Sequence, residues 1–201
     1  MNRIGIYGGT FSPPHLGHVR AAELFIAERK LDSLHIIPAG MPPHKEVDGQ
    51  ASALDRLQMC RLAFGHLPEV QISDREITRV GKSYTVLTLR EYAQEGFHPE
   101  LLIGTDMLLS FESWYCFEEI LSLCTVVCIP REQDGRNNEE LFRKAERLVG
   151  RYSADIVFLK GRAVEISSSE LRAELSANQK AELLPSAVDE YIRRRGLYGI
   201  L

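Results

Sequence analysis

The chain has few of the features that mark membrane, disulfide-stabilised and nucleic-acid-binding proteins. Among its 201 residues, no apolar run approaches the roughly 18 residues that indicate a membrane span. Its four cysteines form no CxxC pair and lie in or beside apolar segments, so we expect reduced core residues. The net charge of −4 gives no basic excess to neutralise nucleic-acid phosphates. No signal-peptide pattern precedes the first apolar segment, and we expect a cytoplasmic protein without membrane or nucleic-acid partners.

The remaining composition is that of an ordinary globular protein. Hydrophobic residues make up 44% of the chain and charged residues 26%. No internal repeat or low-complexity linker divides it, and its length is ample for one hydrophobic core. We therefore expect a single domain covering residues 1–201.

Short apolar strands alternate with amphipathic helices. The predicted strands cover 3–7, 34–38, 101–104, 125–129 and 156–159, with an extended segment at 70–77. The predicted helices cover 84–94, 114–123, 138–149, 167–175 and 186–195, together with one that follows Ser52. Ser52 and Ser83 are expected as N-caps. This alternation predicts an α/β fold, a Rossmann-like doubly wound parallel sheet with helices on both faces and a small helical part at the C-terminus.

The most informative motif is GGTFSPPHLGH, residues 8–18, which follows the first strand. Gly8 and Gly9 end that strand, Thr10 and Phe11 come next, and the pair His15/His18 lies at the start of the predicted helix. Backbone N–H groups of a glycine turn and a helix N-terminus attract anions, and imidazoles beside them can donate to phosphate oxygens. The motif predicts group transfer at a phosphate. Because no third ligand is close in sequence, we expect no protein-bound metal.

A second motif, VEISSSELR, covers residues 164–172. Ser167 and Ser168 offer N-cap hydroxyls, and Arg172 follows about one turn later with a forked guanidinium. Alone, the segment is typical of an ordinary capped helix; beside the histidine motif, a shared phosphate site is favoured. Ligands of parallel sheets bind outside the carboxyl ends of the strands, which places Asp106, after the strand 101–104, at the same cleft. A carboxylate there suits a ribose hydroxyl.

These motifs resemble those of a known superfamily. GGTFSPPHLGH is similar to the GG(T/S)FxPxHxGH signature of the nucleotidyltransferases, and ISSSELR to the ISSTxIR motif with which they hold the triphosphate of ATP. Ser12 and Pro14 depart from the residues usual at those positions. The segments AGMPPHK, KSYTVLTL, IGTDMLLSFESW and LPSAVDEYIRRRGLY extend the resemblance over nearly the whole chain, to the bacterial nicotinate-nucleotide adenylyltransferases.

The resemblance implies the nucleotidyltransferase variant of the fold and a reaction. AMP would pass from ATP to nicotinate mononucleotide, giving nicotinate adenine dinucleotide and pyrophosphate in NAD biosynthesis, with Mg²⁺ entering with ATP. The implied catalytic residues are His15, His18 and Arg172. The implied ATP and phosphate contacts are Gly8, Gly9, Thr10, Phe11, Asp106, Ser167 and Ser168. The implied acceptor contacts are Lys45, Tyr84, Thr85 and Trp114, with Trp114 stacking near the pyridine ring.

Two alternatives stay open. The acceptor could be nicotinamide mononucleotide, which lacks the carboxylate, or another phosphorylated molecule. The chain could also be a regulator that binds ATP without turnover, since fold alone does not give function. No sequence pattern indicates an oligomeric state or a role for the C-terminal GLYGIL.

Overall fold

Parallel strands form one six-stranded sheet in the computed structural model, which describes residues 2–42, 51–130, 138–162, 166, 168–177, 179 and 181–200. The strands are β1 (Ile4–Gly9), β2 (Ser33–Pro38), β3 (Val70–Ile72), β4 (Glu100–Gly104), β5 (Thr125–Ile129) and β6 (Ile156–Phe158). Their order is β3-β2-β1-β4-β5-β6, and every pair is parallel. The predicted doubly wound α/β fold is confirmed.

Helices cover both faces of the sheet. They are α1 (Leu16–Arg29), α2 (Ala53–Phe64), α3 (Arg75–Thr78), α4 (Thr85–Gln94), α5 (Thr105–Leu109), α6 (Phe117–Leu123), α7 (Asn138–Tyr152), α8 (Ser168–Ser176) and α9 (Ser186–Arg195). Short 3₁₀ turns follow at Phe111–Ser113 and Leu197–Gly199. No helix in this described part of the chain is long and apolar enough to span a membrane.

The alternation of side chains along the strands divides the core in two. In β5, Val126 packs in one core and Val127 in the other, and every residue of the strand is buried. The first core lies beneath α1, α2, α8 and α9; the second lies beneath α4, α5, α6 and α7. Leu175, Val188 and Ile192 place the C-terminal helices in the first core.

Three local predictions are wrong in detail. Only Val70–Ile72 of the segment 70–77 is strand, because β3 pairs with β2 over three residues and the N–H groups of Ile77 and Thr78 then bond to the Asp74 carbonyl. Helix α6 begins at Phe117 rather than at residue 114, because Cys116 has a left-handed backbone with φ 55°.

The third concerns Ser83, which does not cap α4. The N-cap of α4 is Tyr84, and the Ser83 hydroxyl instead accepts the N–H groups of Gly40 and Met41. Ser52 caps α2 as predicted, with its hydroxyl 3.1 Å from the Asp55 nitrogen. The predicted helix start at Ser167 lies outside the described residues.

The absence of a side chain at Gly5 lets α1 pack closely on β1. Comparing an alanine substitution at Gly5 with one at Gly150 tests this packing. A Cβ at Gly5 would lie 2.5 Å from Leu31 Cδ1 and 2.8 Å from Phe25 Cε1, so Gly5→Ala should lower the free energy of unfolding by about 1–3 kcal/mol. Gly150→Ala, in α7 with open space around the new Cβ, should raise it by about 0.5–1 kcal/mol. Urea denaturation measures both. Unchanged stability in Gly5→Ala would contradict the close packing of α1 on β1.

Candidate active site

A cleft of about 970 Å³ opens at the carboxyl ends of β1 and β4. This is where the strand order reverses direction around β1, the position at which open α/β sheets bind ligands. The predicted site residues that line it are Gly8, Gly9, Thr10, Phe11, His15, His18, Tyr84, Thr85, Trp114, Ser168 and Arg172. The sheet thus brings together motifs that lie more than 150 residues apart in the sequence.

The turn after β1 is fixed by Phe11. Its backbone is left-handed, with φ 50°, and its ring is only 2% exposed. The ring packs edge-on against Tyr7, His18 and Phe64, with centroids 5.4, 5.1 and 5.9 Å away. A Cβ at Gly8 would meet nothing within 4 Å, so this stretch of backbone is open to the cleft. Phe11 therefore anchors the turn: its ring packs against Gly9, where a Cβ would lie 3.1 Å from Phe11 Cζ, while Gly8 leaves room for a ligand.

The two histidines hold each other at the start of α1. His15 is the N-cap, and the His18 N–H donates to His15 Nδ1 at 3.3 Å. In return the His15 N–H donates to His18 Nδ1 at 3.2 Å, and the rings stack with centroids 3.6 Å apart. Because both Nδ1 atoms accept hydrogen bonds, each neutral ring carries its hydrogen on Nε2. Both Nε2–H groups are the donors left for a ligand.

Both imidazoles are held in the neutral form. Burial lowers the pKa of His15 to about 4. Burial, and then the proximity of His15, lowers the pKa of His18 well below its ordinary value of 6.5. The pair therefore offers hydrogen-bond donors without a resident charge at neutral pH.

Arg172 reaches back from α8 to the turn that precedes the histidines. Its NH1 donates to the Ser12 carbonyl at 2.9 Å and its NH2 to Ser169 Oγ at 3.0 Å. Ser168, the first residue of α8, lies beside it and lines the cleft. The segments 8–18 and 164–172 are therefore in direct contact through Arg172 and Ser12. Ser167 lies outside the described residues.

Aromatic side chains line another part of the cleft. Trp114 stacks on the buried Phe111, with centroids 5.0 Å apart and planes at 24°. Tyr84 packs against Tyr115 at 4.7 Å, and Thr85 begins α4 beside them. Sequence reasoning missed Tyr115, although its place next to Trp114 was a usable signal.

Besides Ser167, two predicted residues are not among the described residues that line the cleft. Asp106 is exposed in the first turn of α5, directly after β4, and its side chain is not among the lining groups. Lys45 falls in the stretch 43–50, outside the described residues. Conversely, Glu76 lines the cleft and was not predicted, because its helix α3 was predicted as an extended segment. Burial raises the pKa of the Glu76 carboxyl, which accepts from Thr88 Oγ1 at 2.6 Å.

The fold and this site define a nucleotidyltransferase of the cytidylyltransferase-like family, whose model matches residues 6–174. The structure is similar to the Plasmodium falciparum nicotinic acid mononucleotide adenylyltransferase complexed with NaAD, with a TM-score of 0.78 and 16% identity over 100% of this chain and 99% of that one. That likeness concerns the fold.

Sequence relatives narrow the family. The probable nicotinate-nucleotide adenylyltransferase of Caldicellulosiruptor saccharolyticus is 35% identical over 98% of both chains. A Synechococcus relative of the same name is 38% identical over 98% of this chain and 95% of its own. The chain belongs to the nicotinate-nucleotide adenylyltransferase family, which confirms the resemblance drawn from the motifs.

The lowered pKa of His15 predicts a pH-dependent stability. Between pH 6.5 and about 4 the unfolded chain takes up a proton on this residue that the folded chain does not, so the free energy of unfolding falls as the pH falls through this window. The loss from His15 is of the order of 3 kcal/mol and levels off below about pH 4.

His15→Asn is the matched variant. Asparagine keeps an N-cap acceptor but does not titrate, so its stability should decline less between pH 6.5 and 4. Urea denaturation at several pH values measures the difference. Parallel curves for the variant and the original chain would refute the assignment of a neutral, buried His15.

Proposed function

We propose that this chain transfers the adenylyl group of ATP to nicotinate mononucleotide, forming nicotinate adenine dinucleotide and releasing pyrophosphate, a step in NAD biosynthesis. The observation that carries the proposal is the shared cleft: the neutral histidine pair and Arg172 line it together with Trp114 and Tyr84. The first group suits phosphates, and the second suits the flat ring of a pyridine nucleotide.

The acceptor's 5′-phosphate attacks the α-phosphorus of ATP in line, and the bond to pyrophosphate breaks. Because that phosphate is already ionised, the step needs no general base and no protein nucleophile. Catalysis then rests on positioning the two substrates and on stabilising the charge that develops. The described side chains of the site agree with this mechanism, because they offer hydrogen-bond donors rather than a Ser–His or Cys–His nucleophile pair.

The donors have separate roles in this mechanism. His18 donates its Nε2–H to the α-phosphate, and His15 donates to the triphosphate on the leaving side. An approaching anion favours the charged form of each imidazole, so both pKa values rise when ATP binds. The backbone of Gly8, Gly9 and Thr10 adds further N–H groups.

Arg172 and the serines beside it hold the β- and γ-phosphates. Two of the five N–H groups of Arg172 suffice for the bonds to Ser12 and Ser169, which leaves others for phosphate oxygens. Ser168 contributes from the first turn of α8, and the same role is proposed for Ser167. Asp106 is proposed to bind a ribose hydroxyl.

On the acceptor side, Trp114 stacks on the pyridine ring. Its own stacking on Phe111 keeps the indole plane in place before the substrate arrives. Tyr84 and Thr85 flank the ring at the start of α4, and Lys45 is proposed as a further contact. A polar donor at the start of α4 would favour nicotinate, which carries a carboxylate, over nicotinamide.

Mg²⁺ is proposed to arrive with ATP, held by phosphate oxygens and water. Within the described ranges, no group of three or more His, Cys, Asp or Glu side chains is arranged to hold a metal ion. When bound, the ion would neutralise phosphate charge, and no step of the mechanism above is routed through it.

An acceptor panel tests the reaction. Purified protein, Mg²⁺ and ATP are mixed separately with nicotinate mononucleotide, nicotinamide mononucleotide and phosphopantetheine, and pyrophosphate release is followed. We expect release with nicotinate mononucleotide, much faster than with nicotinamide mononucleotide. Faster release with another acceptor would keep the chemistry and overturn the assigned substrate. Binding of ATP without release from any mixture would favour the regulator.

Removing one donor tests the histidine assignment. His18→Ala should lower kcat for pyrophosphate release by roughly 10²–10³, the usual effect of losing one transition-state donor. His66→Ala changes an exposed histidine away from the cleft and serves as the control. A kcat near that of the original chain, in a His18→Ala protein that still melts cooperatively, would remove His18 from the mechanism.

A further inference from the structure

Arg56, on α2, is a fully buried side chain that carries a charge. It is 1% exposed, and none of the carboxylates in the described residues forms an ion pair with it. The carboxylate of the adjacent residue, Asp55, lies 3.4 Å from Arg195 instead. Although burial lowers its pKa, a guanidinium stays charged at neutral pH. Burying a cation without an ion-pair partner costs stability, and the hydrogen bonds that it donates offset only part of that cost.

Those hydrogen bonds go to two backbone carbonyls. NH1 donates to Thr10 O at 2.8 Å and NH2 to Gly40 O at 3.2 Å, while Nε is buried without a partner. Thr10 follows β1 and Gly40 follows β2, and both turns border the cleft. Arg56 itself does not line the cleft, so any effect on bound substrates passes through these turns.

The Arg56 guanidinium links β1 and β2 just beyond the point where their backbone pairing ends. Strands β1 and β2 pair as far as Gly9 and Pro38, and the Ala39 N–H still donates to Gly9 O at 2.9 Å. Beyond that point in the described residues, the Arg56 side chain bonds to both turns, at Thr10 after β1 and at Gly40 after β2.

Each carbonyl is a sensitive point. Thr10 O belongs to the peptide that precedes the left-handed Phe11, so holding it fixes the peptide plane on which that strained φ of 50° depends. Gly40 is tightly enclosed: a Cβ there would lie 2.2 Å from Glu76 O, and its N–H donates to Ser83 Oγ at 2.9 Å. A shift in either turn would therefore spread into the residues that line the cleft.

We infer that Arg56 is a positioning residue: its guanidinium fork sets the spacing between the turn at Thr10, beside the proposed phosphate site, and the turn at Gly40, whose N–H bonds to Ser83 next to Tyr84. The expected effect of Arg56 on kcat rests on the proposed function. Its expected effect on the two turns does not. The bidentate shape is what the inference requires, since a single point charge cannot hold two carbonyls in fixed directions.

Three variants separate shape from charge. Arg56→Met removes both, Arg56→Lys keeps the charge but not the fork, and Arg61→Met changes an exposed arginine of the same helix as the control. With both substrates saturating and well below each melting temperature, we expect kcat of both Arg56 variants to fall roughly 10–100-fold and that of Arg61→Met to stay unchanged.

Hydrogen exchange distinguishes a local positioning role of Arg56 from a general contribution to stability. We expect faster exchange of backbone amides in 8–12 and 39–42 in both Arg56 variants, with β5 unchanged. Original kcat and exchange in Arg56→Lys, or acceleration spread evenly over the sheet, would overturn the inference. If Arg56→Met does not fold, Arg56→Lys decides. If even the original chain transfers no adenylyl group, the exchange data still decide, and only the proposed function fails.

Discussion

The site depends on the left-handed backbone of Phe11. A non-glycine residue in this conformation costs about 1–2 kcal/mol, so the surroundings must hold it there. They do so in three ways: the ring is buried between Tyr7 and Phe64, Arg56 holds the carbonyl before it, and Arg172 holds the Ser12 carbonyl after it. Because the chain reverses here between β1 and α1, this one conformation sets where the histidine pair begins.

The electrostatics of the cleft favour an anion before any anion is bound. Arg56 and Arg172 place fixed positive charge on either side of the turn. At neutral pH the two histidines are uncharged, so no charge repulsion arises between them. Burial raises the pKa of Glu76, a carboxyl that lines the cleft. The arrangement suits the phosphate binding proposed above.

Residues that line the cleft could be predicted from the sequence more readily than the side chains that hold them in position. Gly8, His15 and Arg172 could be brought together from sequence because parallel strands end at one edge of the sheet, a rule that needs no side-chain detail. Arg56 could not be found, since a charged residue within a helix is normally exposed and nothing local marks it as buried. Ser83 illustrates the same limit: its position suited an N-cap, but its hydroxyl bonds to a turn more than 40 residues away.

The C-terminal segment, for which the sequence indicated no role, adds further hydrogen bonds to the loop before the histidines and to α2. Tyr198 is 1% exposed, and its hydroxyl shares a hydrogen bond of 3.1 Å with that of Ser12. Tyr191, on α9, donates to Asp55 at 2.8 Å, the residue next to Arg56. The last helix and turn therefore contact both the loop before the histidines and the helix that carries the buried arginine. Ser12 is also one of the positions where this chain departs from the family signature, and it lines the cleft, so its hydroxyl connects that departure to the C-terminal part of the chain.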